Sequence, residues 1–176
     1  MKFVPIGIPG AYLLELEPHA DERGHFARTF SADEFARHGL ATAFVQTSLS
    51  VNSRRGTLRG LHWQAEPHGE EKIVRCVRGR IYDVALDLRR DSHIFRQHLG
   101  IELSAAEGNA IYLPAGVAHG FLTLADDCEV HYAMSTPYVP DAARGARFDD
   151  PAFGIVWPEE VRVVSARDRE WPDFRT

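Results

Sequence analysis

Short runs rich in β-branched and aromatic residues recur along the chain between Gly, Pro and Asp punctuation. They cover Tyr12 to Leu16, Ala43 to Val51, Thr57 to Trp63, Ile73 to Val77, Arg80 to Leu88, Ala110 to Leu113, Phe121 to Leu124 and Cys128 to Met134. Strands spaced this evenly predict an all-β sandwich or barrel. One helix is expected, with Ser31 as its cap, Asp33 and Glu34 at its positive end and Gly39 as its stop. Phe35 and Leu40 would dock it. The tail from Asp149 to Thr176 reads as irregular chain wrapped over the fold, and 176 residues suit a single domain spanning 1–176.

Composition narrows the function classes. Hydrophobic residues make up 44% and charged residues 26%, so a packed core is expected. The net charge of −5 argues against bulk nucleic-acid binding. Cys76 and Cys128 are too few for a disulfide scaffold and lack the paired spacing of a thiolate zinc site. No run of ~18 apolar residues and no signal-like N-terminus occurs, so the expectation is a cytoplasmic protein without a membrane partner. Of the 20 cationic residues only Lys2 and Lys72 are lysines, which singles out the internal one.

Alternation along the last strand puts Cys128, Val130, Tyr132 and Met134 on one face, among apolar neighbours. A lone tyrosine there is more often core than catalyst. The stretch Gly56 to Gln64, GTLRGLHWQ, carries Arg59 and His62 at a spacing that strict alternation would place on opposite faces. A shared site therefore needs a bulge, which Gly60 permits. Between Arg54 and Arg80 seven Lys or Arg stand against three Glu, a charge run that fits either a solvated face or a pocket for a phosphorylated ligand. Downstream, LPAGVAHGF places His119 near the start of a strand after a Pro-Gly turn. His62, Glu71 and His119 resemble the metal-binding motifs of the cupin superfamily, but Gln64 stands where a second His ligand belongs, which argues against a metal.

Nine ordered segments together resemble the dTDP-4-dehydrorhamnose 3,5-epimerase family: DERGHFARTF from Asp21, FVQ from Phe44, RGTLRGLHWQ from Arg55, EKIVR from Glu71, DVALDLR from Asp83, LPAGVAHGF from Leu113, EVHYAMS from Glu129, FDDPAFGIVWP from Phe148 and SARD from Ser165. The resemblance implies a cupin-type jelly roll with one or few short helices. It also implies inversion of C3, C5 or both on a nucleotide-linked 4-keto-6-deoxy sugar, without metal or other cofactor. A 4-keto group acidifies these positions because the carbanion is delocalised as an enolate. The reaction then needs a base on one ring face, a proton donor on the other and a cation at the enolate oxygen. By likeness to the family His62 is the base, oriented by Asp168; Tyr132 is the donor, and Lys72 faces the oxyanion. Arg23, Phe26, Arg28, Gln46, Ser48, Arg59, His119, Tyr138, Arg144 and Arg167 are implied as substrate-binding residues. The segment bearing Arg23 and Phe26 is expected to reach a neighbouring subunit, giving a homodimer by segment exchange.

Three departures bear on specificity. Arg28 and Arg144 stand where the family's rhamnose-pathway members have Glu, and Ser48 stands where Asn is usual. Reversed charges can alter recognition without touching proton transfer. The alternatives are a single-centre epimerase, a 3,4-ketoisomerase, a metal-dependent cupin oxygenase using His62, Glu71 and His119, and a non-catalytic sugar-binding jelly roll.

Overall fold

The computed structural model describes residues 1–175, so the last position of the expected 1–176 unit lies outside the described residues. The strands run β1 (Lys2–Pro5), β2 (Tyr12–Glu15), β3 (His19–Asp21), β4 (Gly24–Phe26), β5 (Gln46–Asn52), β6 (Leu58–Gln64) and β7 (Lys72–Arg78). They continue as β8 (Arg80–Asp87), β9 (His98–Ser104), β10 (Ala110–Leu113), β11 (Val117–Thr123), β12 (Cys128–Met134) and β13 (Ala143–Gly145). The α-helices are α1 (Ala32–Arg37) and α2 (Ala166–Arg169). None of the helices described is long and apolar enough to cross a membrane.

Two sheets form the jelly roll. One has the order β1-β2-β10-β7-β12-β5 and the other β13-β6-β11-β8-β9, while β3 and β4 make a separate hairpin. Their inward side chains meet in a core that includes Val74, Val130, Ile111, Ile81, Leu103 and Phe121. Strands that bury one face against another sheet select this alternation of apolar and polar positions. A second cluster, with Leu61, Val84, Leu86, Ala118 and Phe153, lies on the other face of the five-stranded sheet and is covered by the C-terminal chain.

Helix α1 docks through Phe35, which is fully buried and lies edge-on to Phe3, Phe30, Phe44 and Tyr112. Truncating such a ring costs ~3–5 kcal/mol. Ser31 occupies the N-cap position but makes no side-chain cap hydrogen bond, so its expected capping role is corrected here. The tail also departs from an unbroken irregular course, since it forms α2, whose N-cap Ser165 accepts a hydrogen bond from Asp168 N–H.

The bulge at Gly60 is present. His119 pairs with His62 while Phe121 pairs with Arg59, so three steps on β6 match two on β11. Gly60 has φ +129°, and a Cβ there would lie 2.4 Å from Gly120 Cα. Only glycine at both positions lets the strands approach this closely. The register consequently turns Arg59 and His62 to one side.

Candidate active site

The open end of the barrel holds two adjoining cavities of about 320 and 580 Å3, both lined by His62, Lys72, Tyr132 and Arg167. Strand β6 supplies Arg59 and His62, β7 supplies Lys72, β11 supplies His119 and β12 supplies Tyr132. The smaller cavity adds Gln46, Ser48, Tyr138 and Arg144, and the larger adds Arg59, His119 and Asp168.

His62 Nε2 lies 2.6 Å from Asp168 Oδ1. Asp168 is nearly buried, and its Oδ2 accepts from Gly60 N–H at 3.3 Å. Burial alone would raise this carboxyl's pKa. The hydrogen bond and charge of His62, with the Gly60 N–H, outweigh that and hold it below its ordinary value. An ionised Asp168 can only accept, so Nε2 is the donor of this contact and Nδ1 is the ring nitrogen turned away from it.

Tyr132 stands on the neighbouring sheet, packed edge-on to His119 with ring centroids 5.9 Å apart. Burial first, and then the charge of Asp83, raises its phenol above the ordinary value, against a smaller lowering by Arg59. The phenol is thus held in its protonated form. Lys72, only 8% exposed, places Nζ 2.8 Å from Glu70 and 3.4 Å from the His62 carbonyl. An ammonium held between one carboxylate and one carbonyl keeps donor capacity for a developing oxyanion.

The remaining binding candidates divide by place. Arg59 Nε donates to Asn52 Oδ1 at 2.7 Å, and His119 Nε2 lies 2.7 Å from Asp83 Oδ2. Gln46 Oε1 accepts from Tyr138 N–H at 3.0 Å, which leaves the Gln46 amide nitrogen free as a donor. Arg144 donates to the main-chain oxygens of Asp141 and Ala143, while the Arg167 guanidinium lies over Trp171. Arg23, Phe26 and Arg28 are not brought to this cavity within one protomer. Arg23 pairs with Asp21, Arg28 with Glu34, and Phe26 is 75% exposed on the β3–β4 hairpin.

The ligand set of the metal reading is not assembled. Glu71 turns away, accepting from Ala41 N–H at 3.0 Å and from the Tyr112 hydroxyl. Gln64 instead clasps the cavity rim, its Oε1 accepting from Val139 N–H at 2.6 Å and its Nε2 donating to Pro137 O at 3.2 Å. No cluster of three or more His, Cys, Asp or Glu able to hold an ion occurs among the described residues. The donor set therefore does not fit a cupin metal centre.

The basic run also resolves into parts. Arg59 and Lys72 face the cavities, whereas Arg55, Arg78 and Arg80 pair outside them with Glu159, Glu129 and Glu102. Two acids at the site went unread in the sequence. Glu70 precedes Glu71 by one residue, and Asp83 opens the apolar run DVALDLR, where two carboxylates, Asp83 and Asp87, at alternating positions of one otherwise apolar strand were themselves a signal.

Comparisons with known proteins identify the family. The family model described as dTDP-4-dehydrorhamnose 3,5-epimerase matches residues 5–176. A dTDP-4-dehydrorhamnose 3,5-epimerase from Methanothermobacter thermautotrophicus is 42% identical, over 99% of this chain and 95% of that protein. The crystal structure of the enzyme of that name from Elizabethkingia anophelis NUHP1 superposes with a TM-score of 0.95 at 35% identity, covering 99% of this chain and 96% of the other. A 3'-monoepimerase from Streptomyces bikiniensis, solved with dTDP-quinovose, gives 0.89 at 35% identity, covering 96% and 85%. The chain belongs to the dTDP-4-dehydrorhamnose 3,5-epimerase family.

Proposed function

We propose that this protein is a nucleotide-sugar epimerase that inverts C3, C5 or both on a dTDP-linked 4-keto-6-deoxy sugar. The observation that carries the reading is the shared cavity, in which the His62–Asp168 pair and the Tyr132 phenol both border the space beside Lys72. His62 Nδ1 removes the proton next to the ketone, and the electron pair moves onto the ketone oxygen as an enolate. The Lys72 ammonium stabilises that oxygen. Return of the electrons to carbon takes the phenolic proton of Tyr132 on the opposite ring face, which inverts the centre. Arg59 and His119 carry the donors suited to the diphosphate, and Gln46, Ser48, Tyr138, Arg144 and Arg167 line the arm left for the nucleotide.

Arg23, Phe26 and Arg28 act in this reading from a second copy of the chain. Every residue of the β3–β4 hairpin is exposed, and a 75% exposed phenylalanine suits stacking on a base in the partner's cavity. Sedimentation equilibrium giving a dimer supports this arrangement, and a monomer at working concentration removes it. The same reading places the enzyme in the cytoplasm, where nucleotide sugars are made.

Proton NMR in deuterium oxide with dTDP-4-keto-6-deoxyglucose tests the reaction. Deuterium entering C3 and C5 with formation of the doubly inverted product is expected of a 3,5-epimerase. Exchange at C3 alone assigns the single-centre reaction, which one structural relative bears in its name. Absence of exchange at both carbons rejects epimerisation of this sugar.

A further inference from the structure

The carboxylate that meets His62 is not on the barrel. It rides on a strap, residues 162–174, pinned at both ends. At the start, Val163 bridges Thr57, Leu58 N–H donates to Val163 O at 2.7 Å, and Arg162 N–H donates to Gly56 O at 2.8 Å. At the far end, Phe174 N–H donates to Asp150 Oδ2 at 2.7 Å, and Asp173 lies 2.7 Å from Arg147.

Between the pins lies α2, four residues long and far below the length at which a helix holds itself. The side chain placed to hold it is Trp171. Its indole lies on Gly145 of β13, where a Cβ would come within 2.1 Å of the ring, and Gly145 is the register partner of His62. The ring also carries the Arg167 guanidinium, 5.5 Å from its centroid. Trp171 Nε1 is buried without a hydrogen-bond partner among the described residues, so the ring acts here through its shape.

We propose that Trp171, seated on Gly145, is a positioning residue that sets Asp168 against His62. The inference rests on the reading of His62 and Asp168 as the working base and its orienting partner. Trp171 follows Asp168 by three residues, so lifting the indole from Gly145 swings α2 as a short lever. A misplacement of ~1 Å at a reacting group costs on the order of 100-fold in rate. The close approach of the ring explains why β13 carries a glycine opposite the histidine.

The test uses the full chain and the kcat for dTDP-4-keto-6-deoxyglucose, with folding followed by circular dichroism. Trp171→Ala removes the ring and Gly145→Ala lifts it, so both are expected to lower kcat by ~10- to 100-fold. Trp171→Phe keeps an aromatic ring on the strap but loses part of the Nε1–Cε2–Cζ2 edge nearest Gly145, so it restores part of the loss. In an Asp168→Asn background Trp171→Ala adds no further loss, since the two act through one contact. Should Trp171→Ala fail to fold, Gly145→Ala and its combination with Asp168→Asn supply the same comparison. Wild-type kcat in the folded variants, or an undiminished additional loss on top of Asp168→Asn, overturns the proposal. A wild-type kcat for Asp168→Asn alone instead overturns the reading of the His62 pair.

Discussion

His62 and His119 are register partners on adjacent strands, yet each places its Nε2 against a different buried carboxylate, Asp168 at 2.6 Å and Asp83 at 2.7 Å. The two imidazoles differ in access: the His62 side chain is 41% exposed and that of His119 only 5%. One can therefore meet a sugar ring directly, while the other forms a fixed wall of the cavity. Asp83 Oδ1 has no hydrogen-bond partner among the described residues, and its negative charge helps keep the Tyr132 proton in place.

Replacing His62 by Ala removes the histidine that lines both cavities. Incorporation of solvent deuterium into the 4-keto sugar nucleotide is expected to fall by ~100- to 10,000-fold, the range for a lost general base. Exchange at a near-normal rate, measured by NMR, would refute the base assignment.

Tyr132→Phe keeps the ring that packs against His119 and removes only the phenolic proton. Deuterium should still wash into the substrate, because His62 can take and return a proton on its own face, while inverted product accumulates more slowly. Equal loss of exchange and inversion in the same time course would show that Tyr132 is not a separate donor.

Lys72→Gln retains a hydrogen-bond donor, one bond shorter, but loses the charge beside Glu70. Steady-state assays should show kcat lower by ~100- to 1000-fold, the cost of a lost oxyanion contact. The affinity for free dTDP, measured by calorimetry, should change little.

Acid sensitivity follows from the lowered pKa of Asp168. Its ordinary value is 3.8, and the folded protein holds it lower, so the unfolded chain binds more protons in that range. The stabilisation is complete above pH ~4 and is lost as pH falls through the folded value. Denaturant unfolding between pH 2.5 and 5 should therefore show a shallower acid limb in Asp168→Asn than in the wild type; an identical limb would contradict the assignment.

Much of the barrel was legible because alternation and punctuation are local. Strands β10 and β12 follow the expected Ala110 to Leu113 and Cys128 to Met134. Strand β9 was missed although Leu99, Ile101 and Leu103 alternate with His98, Gly100 and Glu102, since Gly and charged residues dilute the pattern. Strands β1, β3, β4 and β13 are three or four residues long and, unlike the equally short β10, carry Pro, Asp or Gly in place of an unbroken apolar run. The meeting of Arg59 with His62 could be foreseen from Gly60, whereas Asp168 carries no local signal. It lies in a stretch without a repeating pattern, and only long-range docking brings it 2.6 Å from a residue 106 positions earlier.

Because Asp168 belongs to a pinned strap and His62 to a sheet, their contact and the barrel have separate points of failure. Mild heat or low denaturant that frees the strap would extinguish turnover while the far-ultraviolet signature of the strands persists. Activity would then serve as a thermometer of residues 162–174, melting ahead of the scaffold that carries them.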